Sequence, residues 1–197
     1  MVQVSQTELI AGAIAGLAVS FPTDTVPALA IKPEFAQQIY QLKQRPSHKP
    51  LILLGASIDD LLPFVRYTSE ELVIWQALID RYLPGALTLV LPASELVPAA
   101  INPTDSGTVG IRIPDSIIAL EILAQTGVMA TTSANISGSD TLTDLKAIAQ
   151  TFPQVLVLDN SNLEPSLTTG SGMPSTVVAW QNGQWQILRQ GSVAIRQ

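Results

Sequence analysis

Short apolar runs alternate with helix-start signals along nearly the whole chain, and this order constrains the fold more than any other feature. Residues 51–54, 87–91 and 155–158 are apolar runs of strand length, separated by segments with helical periodicity. This alternation is typical of an α/β domain. No run approaches the roughly 20 apolar residues that a membrane-spanning helix needs.

Composition narrows the classes of protein and site. With 197 residues, 47% of them hydrophobic and 13% charged, the chain is predicted to be one globular domain over residues 1–197. The absence of cysteine excludes disulfides and thiolate sites, and the single histidine, His48, excludes a multi-histidine metal centre. The net charge of −6 argues against a broad nucleic-acid-binding face, although a local basic groove stays open. Residues 1–5 show no signal-peptide pattern.

Local signals fix several boundaries. Ser5 and Glu8 form a capping-box pattern for a first helix that should run to about Leu17. A second helix is predicted over residues 34–42, and a β-hairpin is predicted around the turn at residues 181–184. The Ser-, Gly- and Pro-rich segment 160–174 is either a mobile surface loop or a lid that contacts a ligand.

Two polar segments far apart in the sequence have the composition of one anion-binding site. Lys43 and Arg45 follow the second predicted helix, in a chain with only ten lysines and arginines. Residues 131–138 are a run of small hydroxyl and amide side chains ending in Gly138. Such groups hydrogen-bond phosphate or carboxylate oxygens, and glycine permits close approach of the backbone. The two segments therefore suggest a small anionic or phosphorylated ligand.

Seven ordered motifs strengthen this interpretation. They are SFPTDTV at 20–26, LKQRP with KPL at 42–51, LPGALT at 83–88, VGIRIPD at 109–115, TSANISG at 132–138, PSTVV at 174–178 and LRQG at 188–191. In this order and spacing the chain resembles the Sua5/YrdC/YciO family of threonylcarbamoyl-AMP synthases from about residue 8 to 193. Its length is similar to that of the short, single-domain YrdC-type members.

The resemblance implies both a fold and a reaction. The fold would be a twisted mixed α/β sheet flanked by helices, with a concave, positively charged pocket. The reaction would join L-threonine, bicarbonate and ATP into threonylcarbamoyl-adenylate and pyrophosphate, with Mg²⁺ bound through the phosphates and no metal site on the protein. A separate transferase machinery would then modify adenosine 37 of tRNA, so tRNA would be an indirect partner. The family also implies a cytoplasmic location with no membrane association.

The resemblance also assigns site residues. The family's Lys-x-Arg and Ser-x-Asn pairs fall on Lys43, Arg45, Ser133 and Asn135, which would hold the threonine carboxylate, the ATP phosphates and the carbamate as catalytic groups. Thr23 would help seat the amino acid. The remaining substrate-binding positions, most of them on the nucleotide side, are Thr25, Arg112, Thr131, Ser137, Ser175 and Arg189.

Plainer interpretations exist for single residues. Taken alone, Arg112 could be a structural salt-bridge residue, Arg189 a solvated arginine, and residues 133–138 a helix cap and turn. Lys43 and Arg45 could be charges that complement a helix C-terminus. The three tryptophans are predicted to be packing residues without a ligand role.

One segment departs from the family pattern. Residues 26–30 read Val-Pro-Ala-Leu-Ala where the family usually has Val-Tyr-Gly-Leu-Gly. Alanine would be strained wherever the backbone requires a positive φ, so Pro27 and Ala28 predict an altered local backbone. The alternative functions are a paralogue that binds nucleotide or double-stranded RNA without synthase activity, associated with ribosomes or tRNA, and carbamoyl transfer to another acceptor.

Overall fold

A single mixed sheet of ten strands runs through the described part of the computed structural model, which comprises residues 3–46, 48–104 and 106–195. The strands are β1 (Gln3–Val4), β2 (Val19–Phe21), β3 (Ala28–Ile31), β4 (Ile52–Leu54), β5 (Leu87–Pro92), β6 (Thr108–Arg112), β7 (Met129–Ser133), β8 (Leu156–Leu158), β9 (Thr176–Gln181) and β10 (Gln184–Arg189). The helices are α1 (Gln6–Ile14), α2 (Gln37–Lys43), α3 (Ile58–Leu61), α4 (Ser69–Tyr82), α5 (Ile117–Thr126), α6 (Leu145–Thr151) and α7 (Pro165–Thr168).

The strand order across the sheet is β1-β8-β2-β3-β7-β4-β6-β5-β9-β10. Four neighbouring pairs are parallel (β1–β8, β2–β8, β4–β6 and β5–β9), and the other five are antiparallel. Helices α1 and α6 pack on β8 at one end of the sheet. The prediction of a mixed α/β sheet flanked by helices is therefore confirmed.

Side-chain caps determine where several helices begin. The Ser5 hydroxyl accepts from the Glu8 N–H while the Glu8 carboxylate accepts from the Ser5 N–H, so the predicted capping box is present. α1 nevertheless ends at Ile14, before the predicted Leu17, because the backbone reaches a positive φ of 85° at Gly16. The second predicted helix is a 3₁₀ turn at Pro33–Phe35 followed by α2.

The predicted hairpin is also present. Asn182 and Gly183 have φ values of 53° and 76°, the combination that a two-residue type I′ turn requires. Gln181 and Gln184 pair directly across this turn. Further along, the register between β9 and β10 shifts between Ile187 and Arg189, which is a β-bulge in the edge strand.

Strand β3 was missed by the sequence analysis, and Ala28 within it does not have the positive φ that would strain an alanine. β3 lies between β2 and β7, and all four of its residues are buried. Among described residues other than glycine, only Gln44 and Asn182 have positive φ, so both alanines of β3 sit in ordinary extended backbone. Alanine is depleted in strands and prolines border this run at residues 27 and 33, so residues 28–31 carry a weaker strand signal than residues 51–54.

Side chains along the central strands point alternately to the two faces of the sheet, and one of these faces packs on the hydrophobic core. Leu87, Leu89 and Leu91 of β5 are fully buried in the hydrophobic core, whereas Thr88 and Val90 point to the opposite side. Within the described segments, no helix is long and apolar enough to cross a membrane.

Candidate functional site

A cavity of about 570 Å³ lies on this second face of the sheet. Its floor is built from alternate residues of β4, β5 and β6, as the period of two requires, and from three consecutive residues at the end of β7. One row of floor residues is paired from strand to strand: Thr131, Ile52, Gly110 and Val90. The cavity therefore crosses four adjacent strands that come from distant parts of the sequence.

Most of the predicted site residues meet in this cavity. Eight line it directly: Thr23, Thr25, Arg45, Arg112, Thr131, Ser133, Ser175 and Arg189. The other three, Lys43, Asn135 and Ser137, lie outside its lining. Ser137 is tied to α2 through its backbone, because its N–H donates to the Lys43 carbonyl at 3.0 Å.

Lys43 and Asn135 form a closed hydrogen-bond network next to the cavity. The Lys43 ammonium donates to the Ser133 carbonyl and, at 3.0 Å, to Asn135 Oδ1. Asn135 Oδ1 also accepts from the Ser133 hydroxyl at 2.7 Å, and the Asn135 amide group donates to the carbonyls of Ile136 and Ser139. The hydrogen-bonding capacity of the Asn135 side chain is thereby used within the protein.

Burial changes the protonation of Lys43. The side chain is 1% exposed, and burial, reinforced by the charges of Arg45 and Lys49, lowers its pKa to about 7. A neutral lysine amine still carries two N–H donors, so both contacts of Lys43 survive deprotonation. Lys43 therefore supports the Ser133–Asn135 turn, and its side chain is not part of the cavity lining.

Arg45, in contrast, reaches the cavity. Residue 44 ends α2 in the left-handed conformation, with a φ of 50°, and this turn redirects the chain. Arg45 Nε donates to the Lys49 carbonyl at 3.1 Å and Nη2 to the Pro50 carbonyl at 2.9 Å. Of its five N–H groups, three have no partner in the described segments and remain for ligand oxygens.

A second cationic group stands on the hairpin side. Arg189 Nη2 donates to the Ser175 carbonyl at 2.7 Å, and the Ser175 hydroxyl contacts the Thr88 hydroxyl at 2.8 Å. The β-bulge in β10 allows the neighbouring residues Leu188 and Arg189 both to line the cavity. Arg189 is exposed, so its guanidinium is open to solvent and ligands.

Arg112 is bound on all three of its nitrogens. Residues 22–27, which join β2 to β3 and are called the arch below, supply two of its partners. Arg112 Nη2 contacts Asp24 Oδ1 at 2.5 Å and Nη1 donates to Thr25 Oγ1 at 2.9 Å. Nε donates to the Gly85 carbonyl at 2.9 Å. The plainer interpretation of Arg112 as a structural salt-bridge residue describes these contacts.

The cationic groups occupy opposite ends of the cavity. Arg112 lies two residues beyond Gly110 of the floor row, where it pairs with Leu54 of β4. Arg189 lies at this same end of the cavity, because it binds Ser175, whose hydroxyl contacts Thr88 of β5. Arg45 binds the Pro50 carbonyl on the other side of the row, which is the side of Ser133. No carboxylate lines the cavity among the described residues.

Several cavity residues were not predicted. The threonines and prolines among them are Thr88, Thr108, Thr132, Thr141, Pro27, Pro50 and Pro174. Thr88 and Thr108 had a usable signal, because each is a hydroxyl residue on the polar side of an otherwise apolar alternating strand. Thr132 lies in the polar run 131–138 but was not named as a site residue, and Thr141 had no signal.

The end of segment 160–174 packs on the arch. The N–H groups of Ser171 and Gly172 donate to the carbonyls of Asp24 and Thr25, each at 2.9 Å. A side chain at position 170 would place Cβ 2.4 Å from the Thr25 carbonyl oxygen, so this contact requires glycine. Pro174, at the end of the segment, lines the cavity. The segment therefore borders the site.

Comparison with known proteins agrees with this architecture. The Sua5_yciO_yrdC family model, whose description is "Telomere recombination", matches residues 14–191. The chain belongs to the Sua5/YciO/YrdC family. E. coli YciO has the same fold, with a TM-score of 0.78 at 21% identity over 96% of this chain and 92% of that one.

More similar members of the family carry a functional name. A Bacillus subtilis protein named threonylcarbamoyl-AMP synthase is 33% identical over 186 residues, which are 91% of this chain and 51% of that protein. The structure of P. abyssi Sua5 complexed with L-threonine has a TM-score of 0.81 at 31% identity, over 96% of this chain and 55% of that one. The chain thus spans about half the length of these relatives.

Proposed function

We propose that this protein is a threonylcarbamoyl-AMP synthase. The threonine amine attacks the carbon of bicarbonate, water leaves, and a carbamate forms. A carbamate oxygen then attacks the α-phosphorus of ATP. The bond from that phosphorus to the oxygen bridging to the β-phosphate breaks, and pyrophosphate leaves. No protein nucleophile is needed, so the protein contributes positioning and charge neutralisation.

One observation carries this proposal: a single cavity presents Arg45 at one end and Arg189 at the other. The reaction brings together a triphosphate, an amino-acid carboxylate and bicarbonate, all of which carry anionic oxygens. Guanidinium groups bind both kinds of oxygen in bidentate fashion. Membership of a family whose relatives bear this enzyme name, one of them solved with L-threonine, supports the assignment of substrates.

The site residues divide into binding and positioning roles. We place the threonine carboxylate at Arg45, beside Ser133, and the phosphates toward Arg189 and Ser175. Thr131 lies on the floor between these ends. Lys43, Asn135 and Ser137 hold the turn that carries Ser133.

We expect ATP to enter as its Mg²⁺ complex, with the metal held by phosphate oxygens. Within the described segments, no group of three His, Asp or Glu side chains could hold a metal ion. Arg189 would then neutralise phosphate oxygens that the metal leaves uncovered.

Further partners follow from the proposal. The adenylate is a reactive mixed anhydride, so a transferase must consume it, and we propose the threonylcarbamoyl transferase machinery that modifies tRNA. Contact with tRNA would then be indirect, and the location would be the cytoplasm.

The test is release of pyrophosphate from ATP. We expect release only when L-threonine and bicarbonate are both present, and mass spectrometry should identify threonylcarbamoyl-adenylate as the product. Arg45→Ala should lower kcat/KM about 100-fold, because it removes charge-assisted hydrogen bonds. Arg66→Ala, an exposed arginine outside the cavity, serves as the matched control. Threonine-independent release, or full activity in Arg45→Ala, would contradict the proposal.

The alternative of a nucleotide- or double-stranded-RNA-binding paralogue makes a different prediction. It requires ATP binding without threonine-dependent turnover, or retention of RNA. Filter binding of a double-stranded RNA at low salt tests the RNA version, because phosphate contacts are strongest there. The net charge of −6 disfavours such retention.

A further inference from the structure

The side chain of Arg45 is held by an exposed loop. This loop, residues 46–50, follows Arg45, and every described residue of it is exposed. Both side-chain acceptors of Arg45 are carbonyls of the loop, at Lys49 and Pro50. The orientation of the Arg45 guanidinium in the cavity therefore depends on what holds the loop.

Tyr40 of α2 contacts this segment at both of its ends. The Tyr40 carbonyl accepts from the Arg45 N–H at 2.9 Å, the six-to-one bond of a helix that ends in a left-handed residue. The Tyr40 hydroxyl donates to the Lys49 carbonyl at 3.1 Å. Among the described residues, this hydroxyl is the only donor from outside residues 45–50 that binds a carbonyl of the loop.

The Lys49 carbonyl joins Tyr40 directly to Arg45. A carbonyl oxygen has two lone pairs, and at Lys49 the Tyr40 hydroxyl uses one and Arg45 Nε uses the other, each at 3.1 Å. The Tyr40 side chain is only 6% exposed and packs in the hydrophobic core, so it is a fixed anchor for an exposed loop. Burial also raises the pKa of Tyr40, which keeps its hydroxyl a donor at neutral pH.

The position of the loop decides which edge of the Arg45 guanidinium a ligand can meet. Nε and Nη2 share one edge of this planar group, and both donate to consecutive carbonyls of the loop. Nη1 has no partner among the described residues, so the edge formed by Nη1 and Nη2 keeps its hydrogens. That edge carries two parallel N–H groups, the geometry that binds a carboxylate in bidentate fashion.

We propose that Tyr40 is a positioning residue that presents this free edge of Arg45 to the amino-acid carboxylate. Tyr40 acts by holding the Lys49 carbonyl, and it is not part of the cavity lining, so it does not contact the substrate itself. The identity of the ligand rests on the proposed function. The link from Tyr40 to Arg45 rests only on the contacts described above.

The first experiment is a double-mutant cycle between Tyr40→Phe and Arg45→Ala in the pyrophosphate assay. Tyr40→Phe keeps the buried ring and removes only the hydroxyl. We expect KM for threonine to rise about 5-fold, since one supporting hydrogen bond is lost, and KM for ATP to change by less than about 2-fold. In the Arg45→Ala background, Tyr40→Phe should have no further effect, because the group that it positions is absent.

Tyr67→Phe, at an exposed tyrosine outside the cavity, is the matched control and should leave both KM values unchanged. An equal rise of KM for threonine in both backgrounds would reveal a general structural effect of Tyr40 and would overturn the proposal. An unchanged KM for threonine in Tyr40→Phe, or a rise of KM for ATP alone, would overturn it as well.

A second experiment tests the link to Arg45 without turnover. The Nε–H of Arg45 is hydrogen-bonded to the Lys49 carbonyl, so nuclear magnetic resonance should show slowed exchange of this hydrogen with water. Exchange should accelerate about 5-fold in Tyr40→Phe, where the loop loses its anchor, but not in Tyr67→Phe. Unchanged exchange in Tyr40→Phe would refute the role of Tyr40. The expected exchange in a protein without threonine-dependent turnover would instead refute the synthase proposal and leave the link from Tyr40 to Arg45 intact.

Discussion

At the scale of single residues, unused hydrogen-bonding capacity distinguishes binding groups from supporting groups. Asn135 has its donors and acceptors engaged inside the protein, while Arg45 keeps three N–H groups that the described residues do not engage. Both belong to short motifs that look equally functional in the sequence. Substitution of Asn135 should therefore alter the site through the position of Ser133, and substitution of Arg45 should remove a ligand contact directly.

The pH dependence of stability tests the burial of Lys43. Its pKa falls from 10.5 to about 7 in the folded protein, so between these values the unfolded chain binds a proton that the folded chain does not. Stability must then rise with pH in this window, by up to about 1.4 kcal/mol per pH unit. Lys43→Met, which cannot titrate, should lack this contribution.

Urea unfolding of wild type and Lys43→Met at several pH values between 7 and 9.5 measures the difference. We expect the free energy of unfolding of the wild type to increase more steeply with pH than that of the variant. Parallel curves would show that Lys43 keeps its ordinary pKa.

At the scale of elements, an aromatic cluster attaches the hairpin β9–β10 to helix α4. Trp75 of α4 lies 6.0 Å from Trp180 and 6.4 Å from Trp185, measured between ring centroids, and Trp180 Nε1 donates to Glu71. The prediction that the tryptophans are packing residues agrees with these contacts. The cluster also sets the position of Arg189, because β10 carries it to the cavity.

Trp75→Ala should therefore destabilise the fold by about 3–5 kcal/mol, the usual cost of removing a large buried aromatic side chain. Trp75 is fully buried, and its indole N–H has no partner among the described residues. Trp75→Phe also removes that unsatisfied N–H, but it leaves a smaller cavity than Trp75→Ala. We therefore expect Trp75→Phe to destabilise the fold less than Trp75→Ala does. Urea unfolding followed by circular dichroism compares the two variants, and equal costs would contradict this account of the cluster.

The contact between segment 160–174 and the arch depends on Gly170. Gly170→Ala would place Cβ within 2.5 Å of the carbonyl oxygens of both Thr23 and Thr25, so the segment must move away from the arch. We expect KM for threonine to rise about 10-fold, by loss of about 1.4 kcal/mol of binding. Thr169→Ala, an exposed neighbour, is the matched control. An unchanged KM in Gly170→Ala would show that the segment does not support the site.

At the scale of the whole molecule, ligand binding couples four central strands and the hairpin. Floor and wall residues come from β4, β5, β6, β7 and β9. These residues meet only in the folded protein, so we expect a ligand to bind the folded chain and not the unfolded chain. At a concentration 100 times its Kd, ATP should stabilise the protein by about 2.7 kcal/mol. This corresponds to a rise in Tm of about 5–10 °C for a chain of this size.

Thermal unfolding with and without Mg²⁺-ATP measures this rise. Because the contacts to phosphate are ionic and partly exposed, the rise should shrink as salt increases. Arg189→Gln, which removes one exposed cation from the cavity, should also reduce it. A rise that is independent of salt and unaffected in Arg189→Gln would contradict an ionic phosphate site.

Local sequence determined the parts of this fold that depend on neighbouring residues. The capping box at Ser5, the turn at Asn182 and Gly183 and the alternation in β5 each involve groups a few residues apart, so the pattern itself contains the physical cause. Strand β3 escaped prediction because two of its four residues are alanines, which favour strands only weakly, and its conformation depends on pairing with β2 and β7.

Tertiary structure alone decided which polar residues remain available to a ligand. Arg112 and Asp24 are 88 residues apart in sequence, and Lys43 and Asn135 are 92 apart. A side chain's remaining donors and acceptors depend on which remote groups the fold brings within 3 Å or so of it. The motifs predicted residues that gather at or beside one cavity, whereas which of their polar groups are engaged within the protein follows from the packing of distant strands and loops.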